Sequence, residues 1–370
     1  MTGRKITILG CGNAALAAAY HFSLNGASVC LYGADGFNQP LKDIAEHGGI
    51  TALAEDDGVD LLLPGFQPIA RLTSDIAEAV AYSQLLVIPV PSFAQEPIFR
   101  SMLPSLRSGQ FIYLLPGNYG SLELRRIAVE AGYGHLDLTF IDAATIPWAT
   151  RIVAPATIAI YGIKTQLPVG VYPARRTQVA LEAIADIAPI PLEALGNVIE
   201  AGLENINFGG HPALTICSMG LLENFQGRFH FYRDCSSPAV ARVAAGLDGE
   251  RCQVGKALGI SLKTELEMVN RLYGTQFETV AMFNTGSKAH GKIHEAPKDS
   301  GTRYITEDIP YLMVPCLELA ELTQTPAPLL RSCIEFGNAF NQTCYQSKGR
   351  TLQKMGLAGL GVEALIGAVI

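Results

Sequence analysis

Residues 4–9 (RKITIL) alternate in polarity and include β-branched side chains, which predicts a strand. GCGNAA breaks that run, and ALAAAYHFSLNG then reads as a helix closed at Gly26. SVCLY (28–32) is a second strand. Residues 40–50 read as a helix, and 48–66 as short strands around polar turns. TSDIAEAVAYS (73–83) starts like a helix, with Thr73 or Ser74 as cap and Ile76, Ala79 and Val80 on one side. LLVIPVP (85–91) is a nearly continuous apolar run, expected of a strand covered on both faces. A helix over 95–107 and a strand FIYLLPG (111–117) follow. This strand–helix rhythm predicts a parallel α/β domain. TIAIYGIK (157–164) and LPVGVYP (167–173) are separated by a short polar break and are expected to pair. RTQVALEAIADIAP (176–189) reads as a helix stopped by Pro189 and Pro191.

After about residue 190 the period changes. PLEALGNVIEAGLENINF, HPALTICSMGLLENF, SSPAVARVAAGLDGERCQVGKAL and three later segments carry apolar faces at helical spacing, and no alternating run of comparable strength appears. The expected fold is therefore α/β followed by all-α: a Rossmann-type parallel-sheet nucleotide domain over 1–188, then a helical substrate-binding and catalytic domain over 189–370. A length of 370 residues suits two domains.

Composition narrows the partners. With 49% hydrophobic residues the chain is not globally disordered, and 27 basic against 34 acidic residues argues against a nucleic-acid partner. The eight cysteines include no CxxC pair and the seven histidines no HExxH, so they suggest buried thiols in a reducing cytoplasm and no metal. His290 and His294 flank Gly291 without a third ligand at suitable spacing. Arg4-Lys5 before an apolar stretch imitates a signal peptide, but strand, turn and helix account for it better. The last 16 residues contain Glu363 and fall short of the roughly 20 needed to span a bilayer, so they are expected to dock as a tail.

Gly10-Cys11-Gly12-Asn13-Ala14-Ala15 stands where a dinucleotide fingerprint belongs, after a strand and opening a helix. Gly10 permits the turn, Gly12 lets a pyrophosphate approach the backbone N–H groups of the helix, and Ala15 allows close helix–strand packing. The acidic residue expected at the end of the second strand is displaced: its position should fall near Gly33, and Asp35 comes two residues late. No arginine stands nearby for a 2′-phosphate, which favours NAD over NADP. Pro91 and Asn118, after the next two strands, are expected on the nicotinamide side.

Two segments concentrate polar groups: Asn205-Ile206-Asn207-Phe208-Gly209-Gly210-His211-Pro212, and Ser300 to Pro310. Pro212 predicts a first helical turn with His211 at its mouth. Thr306 reads as a cap, with Glu307 and Asp308 in the first turn. Lys348 and Arg350 read as a basic turn that closes a loop or is solvated.

GCGNAA, a central NxxxHP, and RYITEDIPY followed by CYQSKGRTLQKMGL together resemble the octopine/nopaline-type opine dehydrogenase family over essentially the whole chain. The resemblance implies NAD(P)H-dependent reductive condensation of an α-keto acid with the amino group of an amino acid. It also implies that His211 is the acid/base, Asp308 its partner and Arg303 the keto-acid clamp. Phe208-Gly209-Gly210 departs from the family's usual approach to the histidine. Histidine suits proton transfer near neutrality, a carboxylate on its other nitrogen fixes the tautomer, and arginine offers a planar fork to a carboxylate. Tyr304 is expected in the substrate pocket, and Asn207 as a ligand contact or a cap. The alternatives are a 2-hydroxyacid or ketopantoate-like dehydrogenase, whose expected lysine is missing around His211, and an inactive dinucleotide-binding protein. The apolar helices of the second half would support a homodimer.

Overall fold

The computed structural model describes residues 3–54, 64–287 and 296–370. The chain forms two compact units, the first extending to Ala201 and the second running Gly202–Val369.

Twelve strands lie in the first unit: β1 (Lys5–Leu9), β2 (Ser28–Tyr32), β3 (Ile50–Ala54), β4 (Gly65–Gln67), β5 (Arg71–Thr73), β6 (Leu85–Ile88), β7 (Phe111–Leu114), β8 (Thr139–Ala143), β9 (Trp148–Ala154), β10 (Thr157–Ile163), β11 (Leu167–Tyr172) and β12 (Leu192–Ala194). The main sheet has the order β12-β11-β8-β7-β6-β1-β2-β5. All neighbours from β5 to β8 are parallel, so the chain winds outward from β1 through β2 to β5, then restarts on its other side with β6, β7 and β8. This is the doubly wound order, and its switch point lies between β1 and β6. Ile6, Ile8, Leu86 and Val87 on these strands are fully buried, as expected for a sheet covered on both faces.

The first helix, Asn13–Leu24, has little amphipathic pattern because it packs against the main sheet and against a second one, β4-β3-β10-β9. Ala15 to Ala19 are all fully buried, and alanine lets the helix fit between the two layers. The expected pairing of 157–164 with 167–173 does not occur. β10 joins β3 and β9 in the smaller sheet, whereas β11 runs antiparallel to β8 in the larger. The intervening residues carry the chain between sheets instead of turning a hairpin. Lys164 N–H donates to Pro147 O and Leu167 N–H to Pro191 O, both at 2.9 Å. β12 pairs in parallel with β11 and so extends the first unit past residue 188. The cap near residue 75 also differs from expectation. Asp75, rather than Thr73 or Ser74, accepts from the N–H groups of Ala77 and Glu78.

The described residues of the second unit form helices joined by turns, with no strand among them. Its 20-residue helix Pro238–Ala257 packs against Asn207–Cys217 and Pro328–Asn341. Two buried charges lock that packing. Glu250 accepts from the N–H groups of Leu329 and Leu330 at 2.9 and 2.8 Å, capping the neighbouring helix. Arg251 donates to Leu203 O at 2.8 Å and, through two nitrogens, to Asp248 Oδ1. A scaffold held this way gives the Asn207–Cys217 helix a fixed position.

Candidate active site

In the first unit, β1 delivers the chain to Gly10, whose φ is +127°. A Cβ there would lie 2.7 Å from Val90 Cγ1 at the end of β6, so glycine is required both by conformation and by the narrow switch point. Gly12 heads the Asn13–Leu24 helix and provides no side-chain cap. A Cβ on Gly12 would meet nothing within 4 Å. Space is therefore open at the positive end of this helix, where its first-turn N–H groups are directed. That arrangement fits a dinucleotide pyrophosphate.

The displaced acid has a steric cause. A Cβ on Gly33 would lie 3.0 Å from Cys11 Sγ and 3.0 Å from Leu41 Cδ1, so no larger side chain fits without movement. Asp35 is exposed just beyond. Asn38 Nδ2 donates to Asp35 Oδ1 at 3.3 Å and to Ser74 Oγ at 3.2 Å, forming a polar cluster at the carboxyl ends of β2 and β5. Asn38 was not singled out from the sequence, and Ser74 only as a helix cap, because only the pairing of β2 with β5 brings them together.

Asn13 uses its side-chain oxygen within the fold, accepting from Ile152 N–H at 2.7 Å. Asn118, in the left-handed region at φ 51°, is buried and donates to Ser92 Oγ at 2.8 Å. Pro91 is exposed and directly precedes the Ser92–Met102 helix. Asn13 and Asn118 thus each engage a side-chain group in contacts within the fold.

In the second unit, His211 and Asp308 are 97 residues apart in sequence and in direct contact, with His211 Nδ1 and Asp308 Oδ2 2.8 Å apart. Both are buried, at 8% and 3% exposure. Burial pushes the Asp308 carboxyl up to about 8, and the Arg303 guanidinium partly offsets that shift. The Tyr304 ring stacks on the imidazole at 3.8 Å, with Phe231 5.1 Å beyond it. The second imidazole nitrogen is also held, with Nε2 2.9 Å from the Tyr232 hydroxyl. Arg303 is exposed, with Glu307 and Asp308 as its nearest carboxylates. It is therefore a fixed positive charge that solvent or a ligand reaches, one residue from the ring lying on His211.

Several local expectations need correction. His211 lies within its helix and on a buried face, not at the helix mouth, and Pro212 sits inside that helix. The start lies earlier: Asn207 is already the first residue of the helix, Ile206 stands at its cap position, and Asn207 N–H donates to Asn205 Oδ1 at 2.9 Å, so Asn207 is not the cap. Thr302, not Thr306, caps the one-turn helix Arg303–Thr306. Asp308 directly precedes the wider turn Ile309–Met313, whose Pro310 suits a first turn. Arg350 is fully buried, with its guanidinium 5.0 Å from the Tyr311 ring centre, so it is neither a solvated turn nor a surface loop clasp. Cys217 and Cys344 are exposed, contrary to the expectation of buried thiols. His290 and His294 lie outside the described residues, among which no cluster of three metal-binding side chains occurs. Among those residues no helix is long and apolar enough to cross a membrane.

Tyr232 was not recognised from sequence. Its only signal is the aromatic run Phe229-His230-Phe231-Tyr232, which reads as packing until the fold sets it against His211.

Comparison with known proteins agrees with this geometry. Residues 194–341, which include His211, Arg303 and Asp308, match the helical domain of the family described as NAD/NADP octopine/nopaline dehydrogenase. Opine dehydrogenase of Arthrobacter sp. (strain 1C) is 30% identical over 99% of both chains. Vitopine synthase of Allorhizobium ampelinum is 26% identical, again over 99% of both. A solved octopine dehydrogenase, in complex with NADH and L-arginine, superposes with a TM-score of 0.78 over 98% of both chains at 18% identity, a likeness of fold. With 30% identity sustained along essentially the full length of a relative, the chain belongs to the octopine/nopaline dehydrogenase family of NAD(P)-dependent oxidoreductases.

Proposed function

We propose that the protein reductively condenses an α-keto acid with the amino group of an amino acid, the first unit holding the dinucleotide and the second carrying the substrate and acid/base groups. The observation that carries this reading is the buried His211–Asp308 pair beside the exposed Arg303. Gly10, Gly12, Ala14 and Ala15 would hold the pyrophosphate at the open helix terminus. Asp35, with Asn38 and Ser74, would meet the adenosine ribose, and a carboxylate there favours NAD over NADP because it repels a 2′-phosphate. Pro91 and Asn118 would bound the nicotinamide side. The dinucleotide, when bound, supplies the hydride.

Arg303 holds the keto-acid carboxylate, and its planar fork fixes the orientation of the adjacent carbonyl. Tyr304 forms a wall of the substrate pocket while holding the imidazole plane. Asn207 is left as a contact on the amino-acid side, since it lies inside the helix and not at its cap. Imine formation expels the carbonyl oxygen as water, which requires a proton, and the His211–Asp308 pair is its source. In the reverse direction the same pair takes the proton back. Free thiols at all eight cysteines suit the reducing cytoplasm as the site of action.

The test is a matrix of keto acids against amino acids, run once with NADH and once with NADPH. Cofactor oxidation requiring both substrates is the expected result. Oxidation with keto acid alone would instead make the protein a hydroxyacid dehydrogenase.

A further inference from the structure

The nitrogen of His211 that points away from Asp308 does not open directly onto space for a substrate. Tyr232 covers it with a hydroxyl at 2.9 Å. Tyr232 is itself only 7% exposed, packs edge-on against Phe231 at 5.1 Å, and also hydrogen-bonds to the Tyr304 side chain. Hydrogen-bonded groups therefore run from Asp308 through His211 and Tyr232 to Tyr304, and Tyr304 adjoins the exposed Arg303.

For the imidazole to reach a substrate oxygen directly, the Tyr232 ring would have to leave a site bounded by Phe231 and by Tyr304, which is stacked on His211. A phenol has one proton and two lone pairs, so it can accept from Nε2–H while its own proton turns from Tyr304 to a substrate oxygen, and no ring needs to move. We propose that the Tyr232 hydroxyl relays the proton between His211 Nε2 and the oxygen that leaves the substrate.

The step balances as follows. The Tyr232 O–H bond breaks as its proton joins the hydroxyl of the carbinolamine. The C–O electron pair departs with that oxygen as water, and the C=N bond forms from the nitrogen lone pair. The His211 Nε2–H proton passes to the phenolic oxygen, which ends neutral, and the His211–Asp308 pair regains a proton from solvent. Burial raises the phenol well above its usual range, so Tyr232 rests protonated and passes a proton only as it receives one.

This inference rests on the acid/base reading of His211, and the experiment separates the two. Tyr232→Phe removes only the hydroxyl. Its kcat is expected to fall at least ~100-fold, within the usual range for general-acid catalysis. NADH affinity, read by fluorescence titration, should stay within about twofold, as expected for a residue outside the nucleotide unit. In wild-type single turnovers in H2O/D2O mixtures, the rate should curve with deuterium fraction, reporting two protons in flight. A Tyr232→Phe enzyme within about threefold of wild type, with His211→Ala inactive, would overturn the relay and leave the histidine in place. An active His211→Ala enzyme would instead overturn the acid/base reading beneath it. If Tyr232→Phe fails to fold, the wild-type measurement decides, and a linear dependence refutes the relay.

Discussion

Asp308→Asn is the sharpest perturbation of this site, because it preserves shape and removes the carboxyl that orients His211 and shares its proton. The bond it alters is 2.8 Å long, between side chains of 8% and 3% exposure, so solvent neither screens nor replaces it. General acid–base catalysis contributes about 100- to 10,000-fold, so kcat should fall by roughly that much. Stability should move the other way. The folded Asp308 carboxyl is raised by burial to about 8 from its ordinary value of 3.8, so the folded state holds a proton that the unfolded chain releases. The stability this group contributes is full below about pH 4 and is lost as pH rises toward 8. Asp308→Asn removes that dependence, so the melting temperature at pH 8 should be unchanged or higher than wild type. Steady-state assays of NADH oxidation with both substrates, paired with thermal melts at pH 5 and pH 8, test the reasoning. Activity within threefold of wild type in a folded variant would refute it. Equal losses of activity and of melting temperature would make Asp308 structural.

Three further outcomes follow from the same geometry. Gly12→Ala should leave the melting temperature within about 1 °C, because its Cβ enters open space, yet weaken NADH binding roughly tenfold in titration by occupying the path to the helix N–H groups. Arg303→Ala should raise KM for the keto acid far more than KM for the amino acid, since the lost hydrogen bonds to a charged group contribute about 1.5–3 kcal/mol; equal effects on both would remove Arg303 from the keto-acid side. Glu265→Gln probes a second buried carboxyl, raised to about 8 chiefly by burial, with Asp248 adding to the shift and Arg251 opposing it. Its contribution to stability is likewise lost as pH rises from about 4.5 to 8, so the variant should gain stability of the order of a few kcal/mol at pH 8 and almost none at pH 4 in denaturant titrations.

The order and class of the elements, the break from α/β to all-α and the fingerprint at Gly10 to Ala15 were legible in the sequence, because each is written within a few adjacent turns of chain. So was the association of His211 with Asp308, which the family resemblance implied and which the structure brings into contact. Other contacts between distant segments were not. Periodicity states that a segment is a strand but not which strand it joins, so β10 and β11, adjacent in sequence, part into different sheets. The boundary near 188 moved because β12 adds to a sheet built from residues far earlier. Arg350 reads as a solvated basic turn until the fold buries it over Tyr311. The Gly33 position became intelligible only when Cys11 and Leu41 were found to fill the space a carboxylate would need. Sequence determined which residues had the chemistry to move a proton and bind a carboxylate. The family resemblance had already implied Asp308 as the partner of His211, and tertiary structure set that contact at 2.8 Å across 97 residues; tertiary structure alone decided that the other imidazole nitrogen meets Tyr232, because hydrogen bonds of 2.8–2.9 Å depend on how helices pack, and packing is not encoded in the spacing along any one of them.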